Sequence, residues 1–238
     1  MSDPLDRYQL RARVQPATPV ALPLAITLAV VFGVQRDLTS GLIAFAAAAG
    51  VLYFVAHLVR DRGRQLEPSL WASWGGAPTS QLLRGSSGRG SEEIDRRRWL
   101  VMHRLMPEAT VREDPPSEPE IEIYVGMLRE RTRGSDTFPR VAAENAGYGF
   151  RRNMLGLRRL GMLTSASALA VAVAVLFWHV ANGDGHQAAV LAAPAIFDAI
   201  CLVAWWIVVT SGWVKEQGFD YAEALLGAAE NPAPTPIS

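Results

Sequence analysis

The sequence predicts a mainly α-helical, polytopic membrane protein: two transmembrane helical hairpins joined by a small cytoplasmic helical domain. Three observations predict it. Half of the 238 residues are hydrophobic, and they gather in two blocks, roughly 19–59 and 160–214. The stretch between the blocks is charged and rich in Arg. The apolar runs are long and little interrupted by charge, where a soluble protein would spread its apolar residues with period 2 or 3.6.

A bilayer core of about 30 Å needs about 20 apolar helical residues. Four segments meet that length: Pro19–Val34, Leu38–Val59, Leu160–Ala181 and Ala188–Val214. The first follows Arg7, Arg11 and Arg13, as a signal peptide would. It has no small-residue cleavage pattern, and Arg36, Asp37 and a second span follow it, which favours an uncleaved helix. Gln35–Asp37 and Asn182–His186 are short joints, so consecutive spans must run antiparallel. The expected boundaries are a cytoplasmic N-terminus at 1–18, hairpins at 19–60 and 160–214, a cytoplasmic domain at 61–159, and an amphipathic helix with a disordered tail at 215–238.

Orientation follows from basic residues flanking the spans. Arg60, Arg62 and Arg64 follow the second span and Arg151, Arg152, Arg158 and Arg159 precede the third, while the joint between the third and fourth has no Arg or Lys. The middle segment and both termini are therefore expected in the cytoplasm of a bacterium, with the spans in its inner membrane. Small residues at four-residue spacing (Ala25, Ala29 and Gly33; Ala46 and Gly50; Ala166, Ala170 and Ala174) suit close helix packing. Trp178 and Trp213 fit interfacial belts, and Trp205 and Trp206 are expected to pack more deeply.

Within 61–159 the pattern predicts short helices. Leu66–Trp74 continues the second span, and Gly75-Gly76 stops it. Thr79 is the expected cap of a turn through Arg84, Gly85–Gly90 is a flexible loop, and Ser91 caps a helix from Glu92 to Met106. An acidic, proline-rich loop reaches Glu120, and a helix runs from there to Thr132. A short helix to Asn145 follows Phe138-Pro139. The expected core is Trp71, Trp74, Leu82, Leu83, Trp99, Leu100, Tyr124, Leu128 and Phe138, which is thin for a domain that folds alone. Glu216–Ala229 places Phe219, Ala222, Leu225 and Leu226 on one helical face, for docking on the membrane or on the middle domain.

Composition narrows the chemistry. Formal net charge is zero, so no nucleic-acid partner is implied. Lys215 is the one lysine, and the Arg bias reads as codon usage. Cys201 is the one cysteine, and 61–159 holds a single His, His103, so neither a disulfide nor a metal site is expected. No phosphate loop, nucleotide fingerprint or GxSxG motif is present, and neither a cofactor nor enzymatic activity is expected. Two sets of residues remain. Glu144, Asn145, Tyr148, Arg151 and Arg152 fall within nine residues, and with Gly75, Gly76 and Arg84 they suit a phosphorylated ligand or a protein partner. The same arginines suit anionic lipid headgroups. Asp198 lies about eleven residues into the fourth span, one turn after Pro194, where a carboxylate is costly unless protonated, paired or wet.

The stretches LWASWGGAPTSQLLR (70–84) and FPRVAAENAGYGFRRNMLGLRR (138–159) are more specific than general composition. Together they resemble a family of uncharacterised bacterial four-span membrane proteins with LWxSWGGxPT after the second span and ENxxYGFRRNxxG before the third. The resemblance implies the topology above and no activity. The leading functional expectation is a non-enzymatic membrane protein, forming a homo-oligomer, whose cytoplasmic domain senses a ligand or partner and acts on the bundle. An oligomeric pore-type effector is one form of that. The alternatives are a membrane-anchored scaffold or accessory subunit, and a membrane-bound enzyme on lipid or nucleotide substrates.

Overall fold

The computed structural model describes residues 15–34, 50, 63–106, 116–133 and 137–230. Among these the chain is mainly helical and has no strand. A 3-10 turn at Gln15–Ala17 leads into α1 (Thr18–Val34). Residues 63–74 are helical. There follow α2 (Pro78–Leu83), α3 (Glu92–Leu105), α4 (Glu118–Arg131), α5 (Pro139–Ala181), α6 (Gly185–Ile207) and α7 (Ser211–Glu230). Three helical segments among the described residues are long and apolar enough to cross a membrane: Gln15–Gly33, Pro139–Ala181 and Gly185–Ile207. The expected span at 38–59, the N-terminal arginines and the tail at 231–238 lie outside the described residues.

The chain divides into two compact units. Among the described residues the first comprises 67–106, 116–133, 137–148 and 214–230, and the second comprises 15–34, 50, 63–66 and 149–213.

In the first unit, local chemistry sets the helix ends. Gly75 and Gly76 take positive φ (86° and 126°), and Gly76 N–H donates to Trp71 C=O at 2.8 Å, closing the helical stretch before them. The cap of α2 is Ala77 rather than Thr79, because Pro78 occupies the first turn, where its missing N–H costs nothing. Ser91 caps α3, accepting from Ile94 N–H at 3.4 Å. Helix α4 begins at Glu118, inside the expected loop. Ser117 and Glu120 form a capping box there, with Ser117 N–H donating to Glu120 Oε2 at 2.8 Å.

The first core joins Leu82 and Leu83 of α2, Met102 of α3, Ile121, Tyr124, Val125 and Leu128 of α4, and Val141 of α5 to Phe219, Ala222, Leu225 and Leu226 of α7. Phe138 packs against it. Leu100, an expected core residue, is 54 % exposed, because the α3 stripe turned inward is carried by Met102 and Met106. Trp71, Trp74 and Trp99 are half-buried rather than core.

In the second unit, α5 and α6 are joined by Asn182–Asp184, with Gly183 at φ +75° and Asn182 Nδ2 donating to Trp178 C=O at 2.7 Å. Helix α5 starts at Pro139, twenty-one residues before the expected third span. The expected fourth span ends early: α6 stops at Ile207 and α7 begins at Ser211. Thr210 sets that break, since its Oγ1 accepts from Trp213 N–H at 3.3 Å as a helix cap. Along α6, Ile196, Ile200, Val203 and Ile207 are exposed on one face while Leu191, Asp198 and Trp205 are buried on another. An exposed stripe of large aliphatic residues opposite a buried one is what a lipid-facing helix presents.

The expected small-residue faces shift. Ala166, Ala170 and Ala174 are exposed, as are Ala29 and Gly33. The small buried stripe of α5 is Gly161, Ser165, Ala168 and Ala172. Gly161 lets the Trp205 ring lie where a Cβ would be. Trp205 is therefore packed, whereas Trp206 is 65 % exposed. Trp213 meets Phe150 edge-on at 6.3 Å between centroids.

Candidate functional site

In the second unit α1 packs along α6, and the two run antiparallel: Ala17 and Val20 cluster with Trp205 and Val209, while Thr27 meets Asp198. Thr27 Oγ1 donates to Asp198 Oδ2 at 2.6 Å, and both residues are fully buried. Among the described residues, Asp198 Oδ1 is buried without a hydrogen-bond partner, and so is Ser165 Oγ on α5. A buried polar atom left unpaired costs about 1–3 kcal/mol, more for a charged group, so this pair of oxygens among the apolar helices requires a reason. Thr27 and Ser165 were not singled out in the sequence. Their signal is weak: each is a hydroxyl among aliphatic residues, which a helix can absorb by bonding to its own backbone.

Two of the arginines before the expected third span, Arg151 and Arg158, bond to backbone carbonyls. Arg158 donates from Nε to Trp205 C=O at 3.3 Å and from Nη2 to Trp206 C=O at 2.9 Å, covering carbonyls that the end of α6 leaves open. Arg151 Nη1 donates to Trp213 C=O at 3.0 Å, and its guanidinium lies 5.0 Å from the centre of the Trp213 ring. These contacts answer the break at 208–210. Arg152 is half-buried in the same unit, and Arg159 is exposed.

The other expected ligand residues fall in the first unit, so the set of eight is divided between the units. Gly75 and Gly76 direct their N–H groups to Ala72 C=O and Trp71 C=O, and Gly76 C=O accepts from Gln81 Nε2 at 2.7 Å. Arg84 pairs with Glu118 at 2.9 Å and donates to Pro116 C=O at 3.2 Å. Ser80 Oγ holds the other Glu118 oxygen at 2.8 Å. Glu144 accepts from Gln217 Nε2 at 2.5 Å. Tyr148 stacks on Tyr221 with 6.3 Å between centroids and 10° between planes. Asn145 is half-buried beside them in sequence.

The contacts of Glu144 and Tyr148 converge on α7. A Cβ at Gly218 would lie 3.1 Å from Pro78 Cγ and 3.3 Å from Tyr148 Cε2, so one glycine of α7 receives a side chain from each of the two distinctive stretches. At Gly147, a Cβ would meet the Gln217 amide at 3.0–3.2 Å. Arg89 pairs with Glu216 and lies 4.4 Å over the Phe219 ring, and Arg97 pairs with Glu230 at 2.8 Å. Pro78, Glu144, Gly147 and Tyr148 of the distinctive stretches thus pack on a helix of the same chain. Gln217 and Gly218 escaped the sequence reading because nothing in α7 marks them beyond its amphipathic pattern. No group of three or more His, Cys, Asp or Glu able to hold a metal occurs among the described residues. Comparison with known proteins finds no matching family model, no matching curated protein and no matching solved structure.

Proposed function

We propose that this chain is a non-enzymatic four-span protein of the bacterial inner membrane, with 38–59 as its second span and both termini in the cytoplasm. In this reading the first unit is a cytoplasmic sensor of a ligand or protein partner, and it acts on a homo-oligomeric bundle. The arginine clusters at 60–64 and 151–159 support the orientation.

One observation carries the sensing role. Helix α7 is gripped by Pro78, Arg89, Glu144 and Tyr148, and only Val208–Thr210 separate it from α6, which holds Asp198. Anything that binds the first unit and changes that grip alters the tether of α6. The grip holds the bundle closed. Removing Arg89 and Glu144 together, as Arg89→Ala with Glu144→Ala, is expected to raise dye uptake of expressing cells several-fold at equal membrane abundance. Unchanged uptake at equal abundance would overturn the coupling and leave the spans as an anchor.

A further inference from the structure

We infer that Asp198, Thr27 and Ser165 form a site for one sodium-sized monovalent cation inside the second unit. The inference rests on that unit lying in the membrane, and not on conduction. It starts from the two orphaned oxygens, Asp198 Oδ1 and Ser165 Oγ, both on residues with 0 % exposure. Helices α5 and α6 form an antiparallel hairpin whose register is fixed where Trp205 seats on Gly161. Trp205 lies seven residues after Asp198, and Gly161 seven before Ala168. Seven residues make two turns, so Asp198 shares a face of α6 with Trp205, and Ala168 shares a face of α5 with Gly161. Asp198 is then level with Ala168. Ser165, on the same buried stripe, lies three residues toward Gly161, about 4.5 Å at 1.5 Å per residue. Thr27 reaches Asp198 from α1. Three oxygen-bearing side chains from three helices therefore lie within about one turn.

Charge decides what fills the site. An ionised carboxylate inside a bundle needs a counter-charge. No Arg or Lys occurs in α1, in α6 or in 160–181 of α5, and the span expected at 38–59 contains none either. The other titratable groups of these helices are Cys201, one turn from Asp198, His179 and His186 near the hairpin turn, and Tyr53 and His57 of the expected second span, His57 two residues from its end. A proton would neutralise Asp198 but leave Ser165 Oγ unsatisfied, since the two oxygens are not hydrogen-bonded to each other. A cation between them satisfies both. One carboxylate balances one positive charge, so a divalent ion would leave an excess charge in the bilayer. Carboxylate and hydroxyl oxygens are hard ligands, which suits a small alkali cation.

The test uses the full chain, purified in detergent micelles, with sodium alone as probe. Thermal unfolding followed by tryptophan fluorescence is compared in sodium, potassium and choline chloride at equal ionic strength. Saturating sodium is expected to raise the midpoint by about 3–8 °C over choline. Asp198→Asn and Ser165→Ala are expected to abolish the shift. Ser165→Ala keeps the fold testable, because without a ligand it only removes an unpaired buried hydroxyl and should melt no lower than the parent in choline. A carbodiimide that reacts with protonated buried carboxyls is expected to label Asp198 about tenfold more slowly at ten times the sodium Kd, by mass action. Potassium as effective as sodium, a shift that survives Ser165→Ala, or labelling indifferent to sodium would each overturn the site. A negative dye-uptake result would not, because this measurement reads binding in the isolated protein.

Discussion

The residue scale shows how little space separates tolerance from failure. Gly161 and Gly126 are both helical glycines. A Cβ at Gly161 would overlap the buried Trp205 ring, whereas nothing lies within 4 Å of one at Gly126. Gly161→Ala is therefore expected to cost about 1–3 kcal/mol by overpacking. Gly126→Ala should gain about 0.5–1 kcal/mol from helix propensity. Unfolding midpoints of the two variants, measured side by side, check the opposite signs. Tyr124 adds a pH dependence. Burial, reinforced by Glu230 and opposed by Arg131, pushes its phenol up to about 12 from an ordinary 10.0. A raised folded-state value means that the folded form keeps a proton the unfolded chain gives up. This stability is intact below pH 10 and is lost as pH rises toward 12. Tyr124→Phe should flatten the alkaline limb of a stability–pH curve, and an unchanged limb would refute the assignment. Of this, only the burial of Tyr124 was legible in the sequence. Tyr124 was an expected core residue, but the glycines are distinguished only by what lies opposite them.

At the scale of elements, helix ends written in local chemistry were easier to read than helix ends set by tertiary structure. Ser91 and Gly75-Gly76 announce themselves, and they act as their residue types suggest. Ser117 and Glu120 carry an equally local signal, the capping box, hidden by the surrounding prolines. Ser117→Ala should cost about 1 kcal/mol, because it removes that cap. The break between α6 and α7 reads differently. Apolar character continues through 208–214, so hydropathy alone runs the span to Val214, and only Thr210 marks the stop. Thr210→Val is expected to let the two helices fuse, raising helical content measured by circular dichroism and weakening the contact of Arg151 with Trp213 C=O. In α5 the difference ran the other way: a short helix to Asn145 and a span from Leu160 were expected separately, yet one helix runs from Pro139 to Ala181, and at Gly147 it leaves room for Gln217 of α7.

For the whole molecule, membrane character was plain from the two apolar blocks, and three long apolar helices among the described residues agree with it. Which residues face one another was not plain, since Ala-rich helices offer several small-residue stripes and hydropathy does not rank them. The proposed orientation has a direct check. With Cys201 replaced by Ser, single cysteines at 184–186 should react with an impermeant thiol reagent from the periplasmic side, and cysteines at 85–90 should not. The reverse pattern would invert the molecule. The place of α7 also orders biosynthesis. Phe219, Leu225 and Leu226 complete the first core but leave the ribosome only after α5 and α6 have been made. Until then Leu82, Met102 and Leu128 lack their last neighbours, and a nascent chain halted before 214 displays an unfinished core to proteases. Maturation of the first unit thereby follows synthesis of the hairpin, so a chain whose α7 has docked is one whose long apolar helices have already been translated.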